Sequence, residues 1–316
     1  MIFSPPPDSA FQDFSLILSS FLIIAMKKLY GTGVALVTPF TERLEVDFKS
    51  LRKLLNHTSK GVDYYVVMGT TGEAATLTAE EKKSILQFVK DNNSKKLPLV
   101  YGIGGNNTQQ VLDSIAETDF RGVDALLSVS PYYNKPSQEG IFRHFKAIAD
   151  ACPVPVILYN VPGRTSSNIT AETTLRLAEH PNIIGIKEAS GSMEQCMRIA
   201  RDKPRDFMLI SGDDLMAVPV YAVGGTGVIS VLANAYPVIF RKMKEFAFKG
   251  NYAKASQEAF KLLDINPLMY EESNPVGLKA LLEEMRICLG YVRLPLAEAS
   301  EALRKKISAL NQKNKG

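Results

Sequence analysis

Three observations predict an α/β chain, a (β/α)8 TIM barrel with a small C-terminal helical domain. Eight short apolar runs of β type recur from Tyr30 onward, about 20 to 35 residues apart. Helical stretches fill the gaps, the rhythm of βα units. The runs are apolar throughout instead of alternating, as parallel strands covered on both faces must be. An open doubly wound sheet is the alternative. Against it, the clusters Gly102-Ile-Gly-Gly105 and Gly224-Gly-Thr-Gly227 do not match a GxGxxG turn opening a helix, and no Walker lysine is present.

Each run is followed by polar residues, and in such a barrel the carboxyl ends of the strands build the site. Gly33 to Val37 runs into Thr38-Pro39. Tyr64 to Met68 leads to Gly69-Thr-Thr-Gly-Glu73, and Leu99 to Ile103 to the first glycine cluster. Ala125 to Val129 precedes Pro131-Tyr-Tyr-Asn134, and Val156 to Leu158 precedes Tyr159-Asn-Val-Pro-Gly-Arg-Thr165. Ile183 to Ile186 delivers Lys187-Glu188, Met208 to Ile210 leads to Ser211-Gly-Asp-Asp214, and Val228 to Val231 carries Ser230.

After Asn234 the pattern turns helical. Val238 to Phe248, Ala253 to Leu263, Leu278 to Gly290 and Leu296 to Leu310 show apolar residues at helical spacing, with breaks at Asn274-Pro275 and Leu294-Pro295. The expected division is a barrel over 26–250 and a helical domain over 251–316. Residues 1–25 do not fit either unit. They hold no Lys or Arg, and their apolar half lacks the basic start of a signal peptide and the roughly 20 residues that span a bilayer. The expectation is an extension upstream of a true start at Met26.

The composition excludes other classes. With 37 Lys+Arg against 33 Asp+Glu, 46% hydrophobic and 22% charged residues, the 316-residue chain is neither disordered nor collagen-like. Its net charge of +4 is scattered, so neither nucleic acid nor a membrane is expected as partner. Cys152, Cys196 and Cys288 are far apart, and His57, His144 and His180 lack ligand spacing. A reducing compartment and no metal follow as expectations.

Lys187 is the first candidate for chemistry. At the end of a core strand its ammonium is costly to desolvate, which disfavours the charged form and frees an amine to attack a carbonyl. The resulting Schiff base is an electron sink for making an enamine from a keto acid. Pairing with Glu188, or reaching out to solvent, is the competing reading of such a lysine. Tyr159 ends the neighbouring strand and could carry protons at the barrel mouth, or serve only as a core aromatic. Thr70 and Thr71 offer hydroxyls and backbone N–H groups to a carboxylate, although a tight turn capping the next helix explains them equally. Arg164 could grip a carboxylate bidentately or make a surface ion pair.

Gly69-Thr-Thr-Gly-Glu73, Pro131-Tyr-Tyr-Asn134, Tyr159-Asn-Val-Pro-Gly-Arg-Thr165 and Gly185-Ile-Lys-Glu-Ala189 resemble the signatures of the dihydrodipicolinate synthase family, within the pyruvate-dependent class I aldolases that include N-acetylneuraminate lyase. The resemblance runs from about Lys28 to the C-terminal helices. It implies that Lys187 forms the imine with pyruvate and that Tyr159 transfers protons, linked through Thr71 to Tyr133, which reaches into a neighbouring subunit. Thr70 and Thr71 would hold the pyruvate carboxylate and Arg164 that of L-aspartate 4-semialdehyde, with Gly212 and Ile229 lining the pocket. The implied enzyme is a cytoplasmic homotetramer, a dimer of dimers, needing no cofactor beyond the Lys187 imine. It makes 4-hydroxy-tetrahydrodipicolinate on the way to diaminopimelate and lysine. Another pyruvate-dependent aldolase, such as an N-acetylneuraminate or keto-sugar-acid lyase, is the alternative, and a noncatalytic keto-acid-binding barrel is a third reading.

One departure concerns regulation. Feedback-inhibited members bind lysine through a Tyr, an Asn, His residues and a Glu. Tyr132 and Asn106 match that set, whereas Ala79, Lys82 and Gln110 stand at the His and Glu positions. Gln110 cannot pair with an α-ammonium and Lys82 repels a cationic ligand, so weak or absent lysine inhibition is expected.

Overall fold

A computed structural model describes residues 27–313; the predicted upstream extension at 1–25 lies outside them. Eight parallel strands close in sequence order into a barrel. They are β1 (Gly31–Ala35), β2 (Tyr64–Val67), β3 (Leu99–Gly102), β4 (Ala125–Val129), β5 (Val156–Asn160), β6 (Ile183–Glu188), β7 (Met208–Ser211) and β8 (Gly227–Ser230). Closure is made by β1 against β8, with Gly33 opposite Ile229.

One main helix follows each strand: α1 (Phe48–Thr58), α2 (Ala79–Asn92), α3 (Thr108–Glu117), α4 (Gln138–Ala151), α5 (Ala171–Ala178), α6 (Met193–Asp202), α7 (Ala217–Ala222) and α8 (Pro237–Phe248). Local sequence sets where they start. Asp47, Thr78, Asn107, Ser137, Thr170 and Ser192 each accept a hydrogen bond from the first turn of the helix they precede, and Thr78 with Glu81 forms a reciprocal capping box. Each helix then buries one stripe, as α4 does with Ile141, Phe145 and Ile148.

The strand alternation makes two apolar layers. Tyr64, Val66, Leu127, Ile157, Met208 and Ile229 fill the barrel interior. The opposite faces, including Val34, Leu126, Leu158 and Leu209, pack against the helices. Beyond α8 come α9 (Tyr252–Phe260), α10 (Val276–Glu284) and α11 (Glu301–Lys313); α9 packs on α8, and α10 on α11. None of the described helices is long and apolar enough to cross a membrane.

Several boundaries differ from expectation. β5 and β6 run on through Tyr159-Asn160 and Lys187-Glu188, because these polar residues stay in the ladder as paired rungs. β1 begins at Gly31, where it pairs with Gly227, and ends at Ala35. The helix expected to reach Gly290 stops at Glu284, just before Arg286 takes a left-handed φ of 59°. The helix expected from Leu296 starts at Glu301.

Candidate active site

Tyr159 and Lys187 occupy the same rung of the β5–β6 ladder. Both side chains are buried, 7% and 6% exposed, and the Lys187 Nζ lies 4.2 Å from the centre of the Tyr159 ring. The ring face attracts a cation there while the walls stay apolar. Lys187 does not pair with Glu188. Strand alternation sends the next rung, Asn160 opposite Glu188, toward the helices, where Asn160 donates to Glu188 Oε2 at 2.9 Å. Lys187 makes no ion pair among the described residues, so its amine is unoccupied inside the barrel.

Gly212 is set close to this lysine. Its N–H donates to the Glu188 carbonyl at 2.7 Å. A Cβ added there would lie 3.1 Å from Lys187 Cε and 2.6 Å from Ala189 Cβ, so any side chain would press on the lysine stem. Ile229 is fully buried in the interior layer together with Tyr159. Behind Gly212, the buried Asp214 accepts from Leu232 N at 2.8 Å and Val231 N at 3.3 Å, fixing the end of β8. Burial raises its carboxyl to about 6, with those N–H groups opposing.

The loop after β2 is bracketed by two left-handed non-glycine residues, Met68 (φ 63°) and Glu73 (φ 54°). Such conformations persist where neighbours over-determine them, and here they do. Thr38 donates to the Gly72 carbonyl at 2.7 Å, and Asn274 Nδ2 donates to Thr71 Oγ1 at 3.1 Å. Gly102 of β3 backs the loop so closely that a Cβ would strike the Met68 carbonyl at 2.2 Å. Glu73 is held 2.5 Å from Lys279 of α10 and accepts from the Arg293 backbone N–H at 3.1 Å. Lys279 also donates to the Tyr291 carbonyl at 2.8 Å. Thr71 is buried and Thr70 exposed. Because Thr71 accepts from Asn274, its own proton remains free to donate.

Arg164 sits on the short helical turn Pro162–Thr165 that ends β5, exposed and without an ion-pair partner among the described residues. Tyr133 is the outlier of the predicted set. It is 88% exposed with a left-handed φ of 73°, so it projects away from the barrel. No hydrogen bond joins Tyr159, Thr71 and Tyr133 within the described chain.

The structure thus brings Lys187, Tyr159 and Gly212 together at the carboxyl end of the barrel, with Ile229 in the interior apolar layer, Thr70 and Thr71 on a braced loop, and Arg164 at the rim. Sequence reasoning missed the supports: Thr38, Asn160, Asp214, Asn274 and Lys279. Thr38, Asn160 and Asp214 were visible as strand-end polar residues, but without a role. Asn274 and Lys279 carried no local signal, because their partners lie about two hundred residues away. Among the described residues no cluster of three or more His, Cys, Asp or Glu could hold a metal, and the three cysteines are free and buried.

A family model described as the dihydrodipicolinate synthetase family matches residues 28–314. The 4-hydroxy-tetrahydrodipicolinate synthase of Cytophaga hutchinsonii is 53% identical over 289 residues, covering 91% of this chain and 97% of that protein. That of Flavobacterium psychrophilum is 47% identical over 280 residues, covering 88% and 96%. Among solved structures, the dihydrodipicolinate synthase from Thermotoga maritima superposes with a TM-score of 0.88 at 34% identity, covering 90% of this chain and 98% of its own.

Proposed function

Since the chain belongs to the dihydrodipicolinate synthetase family, we propose that its active centre is the Tyr159–Lys187 rung and that the flanking residues divide the work as follows. The chain is a lyase that condenses pyruvate with L-aspartate 4-semialdehyde to 4-hydroxy-tetrahydrodipicolinate, the activity named for its relatives. Lys187 attacks the keto carbon of pyruvate, and loss of water from the adduct gives the imine. Removal of a methyl proton makes the enamine, whose carbon bonds to the aldehyde carbon of the second substrate. The amine of that substrate then attacks the imine carbon, closing the ring and expelling Lys187 unchanged.

Each neighbour has one task. Tyr159, against the lysine, passes the protons that water loss and aldehyde addition require. Thr70 and Thr71 hold the pyruvate carboxylate with hydroxyl and backbone donors, and Thr71 links Tyr159 toward the Tyr133 that a neighbouring subunit supplies. The unpaired Arg164 takes the carboxylate of the semialdehyde. Gly212 leaves room for the substrate beside the lysine stem, and Ile229 supplies an apolar wall. Tyr133 works in the site of a neighbouring subunit, which its outward projection supports, within a homotetramer built as a dimer of dimers. On this reading the imine replaces any cofactor, the partners are the two small substrates, and the protein works in the cytoplasm. A division near residue 250 into barrel and helical domain belongs to the same reading.

The observation that carries the assignment is the buried amine of Lys187, without an anionic partner among the described residues, 4.2 Å from a tyrosine ring. Borohydride reduction in the presence of pyruvate is expected to fix a reduced pyruvyl adduct on Lys187, read by peptide mass; an unmodified Lys187 overturns the assignment. Turnover of aspartate semialdehyde, with none of N-acetylneuraminate, is expected of the same protein.

A further inference from the structure

The rung next to the reactive pair carries a polar network that the chemistry above does not use. Glu188 is 3% exposed and Asn160 fully buried. The Glu188 carboxylate has no cationic partner among the described residues; it is held by neutral donors alone. Asn160 Nδ2 reaches Oε2 at 2.9 Å, Gln195 Nε2 of α6 reaches Oε2 at 2.8 Å, and the Ser190 backbone N–H reaches Oε1 at 2.6 Å. Asn160 in turn donates to Asn168 Oδ1 at 2.7 Å and accepts from Ile169 N at 2.9 Å. Asn168 and Gln195 close the circuit at 3.0 Å.

Burying a carboxylate is costly, and a well-packed apolar pair would serve stability as well or better. What a fully satisfied polar circuit supplies in exchange is a single geometry. Register needs fixing here, because the β5–β6 pairing shifts at Val156/Ile157, three residues before the reactive rung. An offset of about 1 Å between reacting groups can cost on the order of 100-fold in rate. We infer that Asn160 and Glu188 form a positioning clamp, a cross-strand hydrogen bond one residue beyond Tyr159 and Lys187 that sets the spacing of amine and phenol. The inference rests on the roles proposed above for Lys187 and Tyr159.

The test exchanges donor and acceptor. Asn160→Asp sets two carboxylates face to face, and Glu188→Gln sets an amide against the Ser190, Asn160 and Gln195 donors. Together they restore one carboxylate facing one amide, and rotating the Asn168 and Gln195 amides restores their bonds to that pair and to each other, at the loss of the Gln195 bond to the Ile169 carbonyl. Expected are losses in kcat of about 100-fold for Asn160→Asp and about 10-fold for Glu188→Gln, with KM for pyruvate within about threefold, and slower borohydride trapping in proportion. The double variant should recover to within about tenfold of wild type. Circular dichroism and thermal unfolding establish that each variant is folded at the assay temperature. Folded single variants with kcat within threefold of wild type overturn the clamp, as does a double variant no better than the worse single one. Should a single variant not fold, Gln195→Met removes a donor to Glu188 Oε2 and the tie to Asn168, which holds Asn160, and so loosens both sides of the cross-strand bond. It should lower kcat several-fold at constant KM, and an unchanged kcat overturns the clamp. Trapping on wild type separates the two claims: no adduct at Lys187 refutes the site itself, whereas normal wild-type trapping with indifferent variants refutes only the clamp.

Discussion

Glu73 on the loop after β2 and Lys279 of α10 form an ion pair 2.5 Å long, with both side chains essentially out of water. The Lys279 Nζ also sits 4.1 Å from the centre of the Phe40 ring. Burial holds the ammonium below its usual range even though Glu73 favours the charged form. Lys279→Met leaves Glu73 buried and unpaired, and should destabilise the fold by about 3–5 kcal/mol. Glu73→Gln combined with Lys279→Met should recover most of that loss. Urea unfolding of the wild type and these two variants checks both statements.

Tyr159→Phe keeps the ring beside Lys187 and removes only the hydroxyl. The expected result is a kcat lower by about 100- to 10,000-fold, with the pyruvyl adduct still forming on Lys187 under borohydride. A variant turning over at the wild-type rate would show that protons travel by another route.

Gly212→Ala brings a methyl against Ala189 Cβ and the lysine stem. Steady-state kinetics should show at least a tenfold loss in kcat/KM for pyruvate, and thermal unfolding a penalty of about 1–3 kcal/mol from overpacking.

His144 of α4 bonds Thr108 Oγ1 through Nδ1 at 2.9 Å and keeps Nε2 buried without a partner among the described residues. Burial pushes its imidazole down to about 4 from the ordinary 6.5. Between those values the unfolded chain takes up a proton that the folded chain refuses. The stabilisation is therefore complete above about pH 6.5 and is lost as the pH falls toward 4. About 2 kcal/mol should disappear between pH 7 and pH 5. His144→Gln should flatten that part of the profile in urea melts run at the two pH values.

Lysine at millimolar concentration should inhibit weakly or not at all. Lys82 lies half-buried on α2 and makes no ion pair among the described residues. Gln110, in the first turn of α3, brings no negative charge. Initial rates with and without lysine decide the matter, and clear inhibition would refute the reading of Ala79, Lys82 and Gln110.

The barrel was legible in the sequence because a strand covered on both faces must be apolar throughout, and that pattern survives without knowing what covers it. The candidate site residues stood out for the complementary reason: Lys187 and Tyr159 interrupt those runs at the end where sites form. The reading went astray in ending β5 and β6 at the first polar side chain. Backbone pairing is indifferent to side-chain polarity, and Asn160 and Glu188 continue the ladder because they satisfy one another across it. The braces on the loop after β2 were invisible for a different reason. Nothing local to Asn274 or Lys279 shows which loop they will meet, since only closure of the barrel brings them there. Tyr133 was assigned through the family resemblance alone, and its outward projection became visible only in the folded chain.

The bracing of that loop also imposes an order in time. Residues 69–73 leave the ribosome early, while Asn274, Lys279 and Arg293, which hold Thr71 and Glu73, emerge some two hundred residues later. A nascent chain can have made every strand of the barrel and still hold the loop after β2 unlocked. The loop gains its final shape only when synthesis is nearly complete, so a chain cut short after α9 would keep all eight strands yet lack the locked loop.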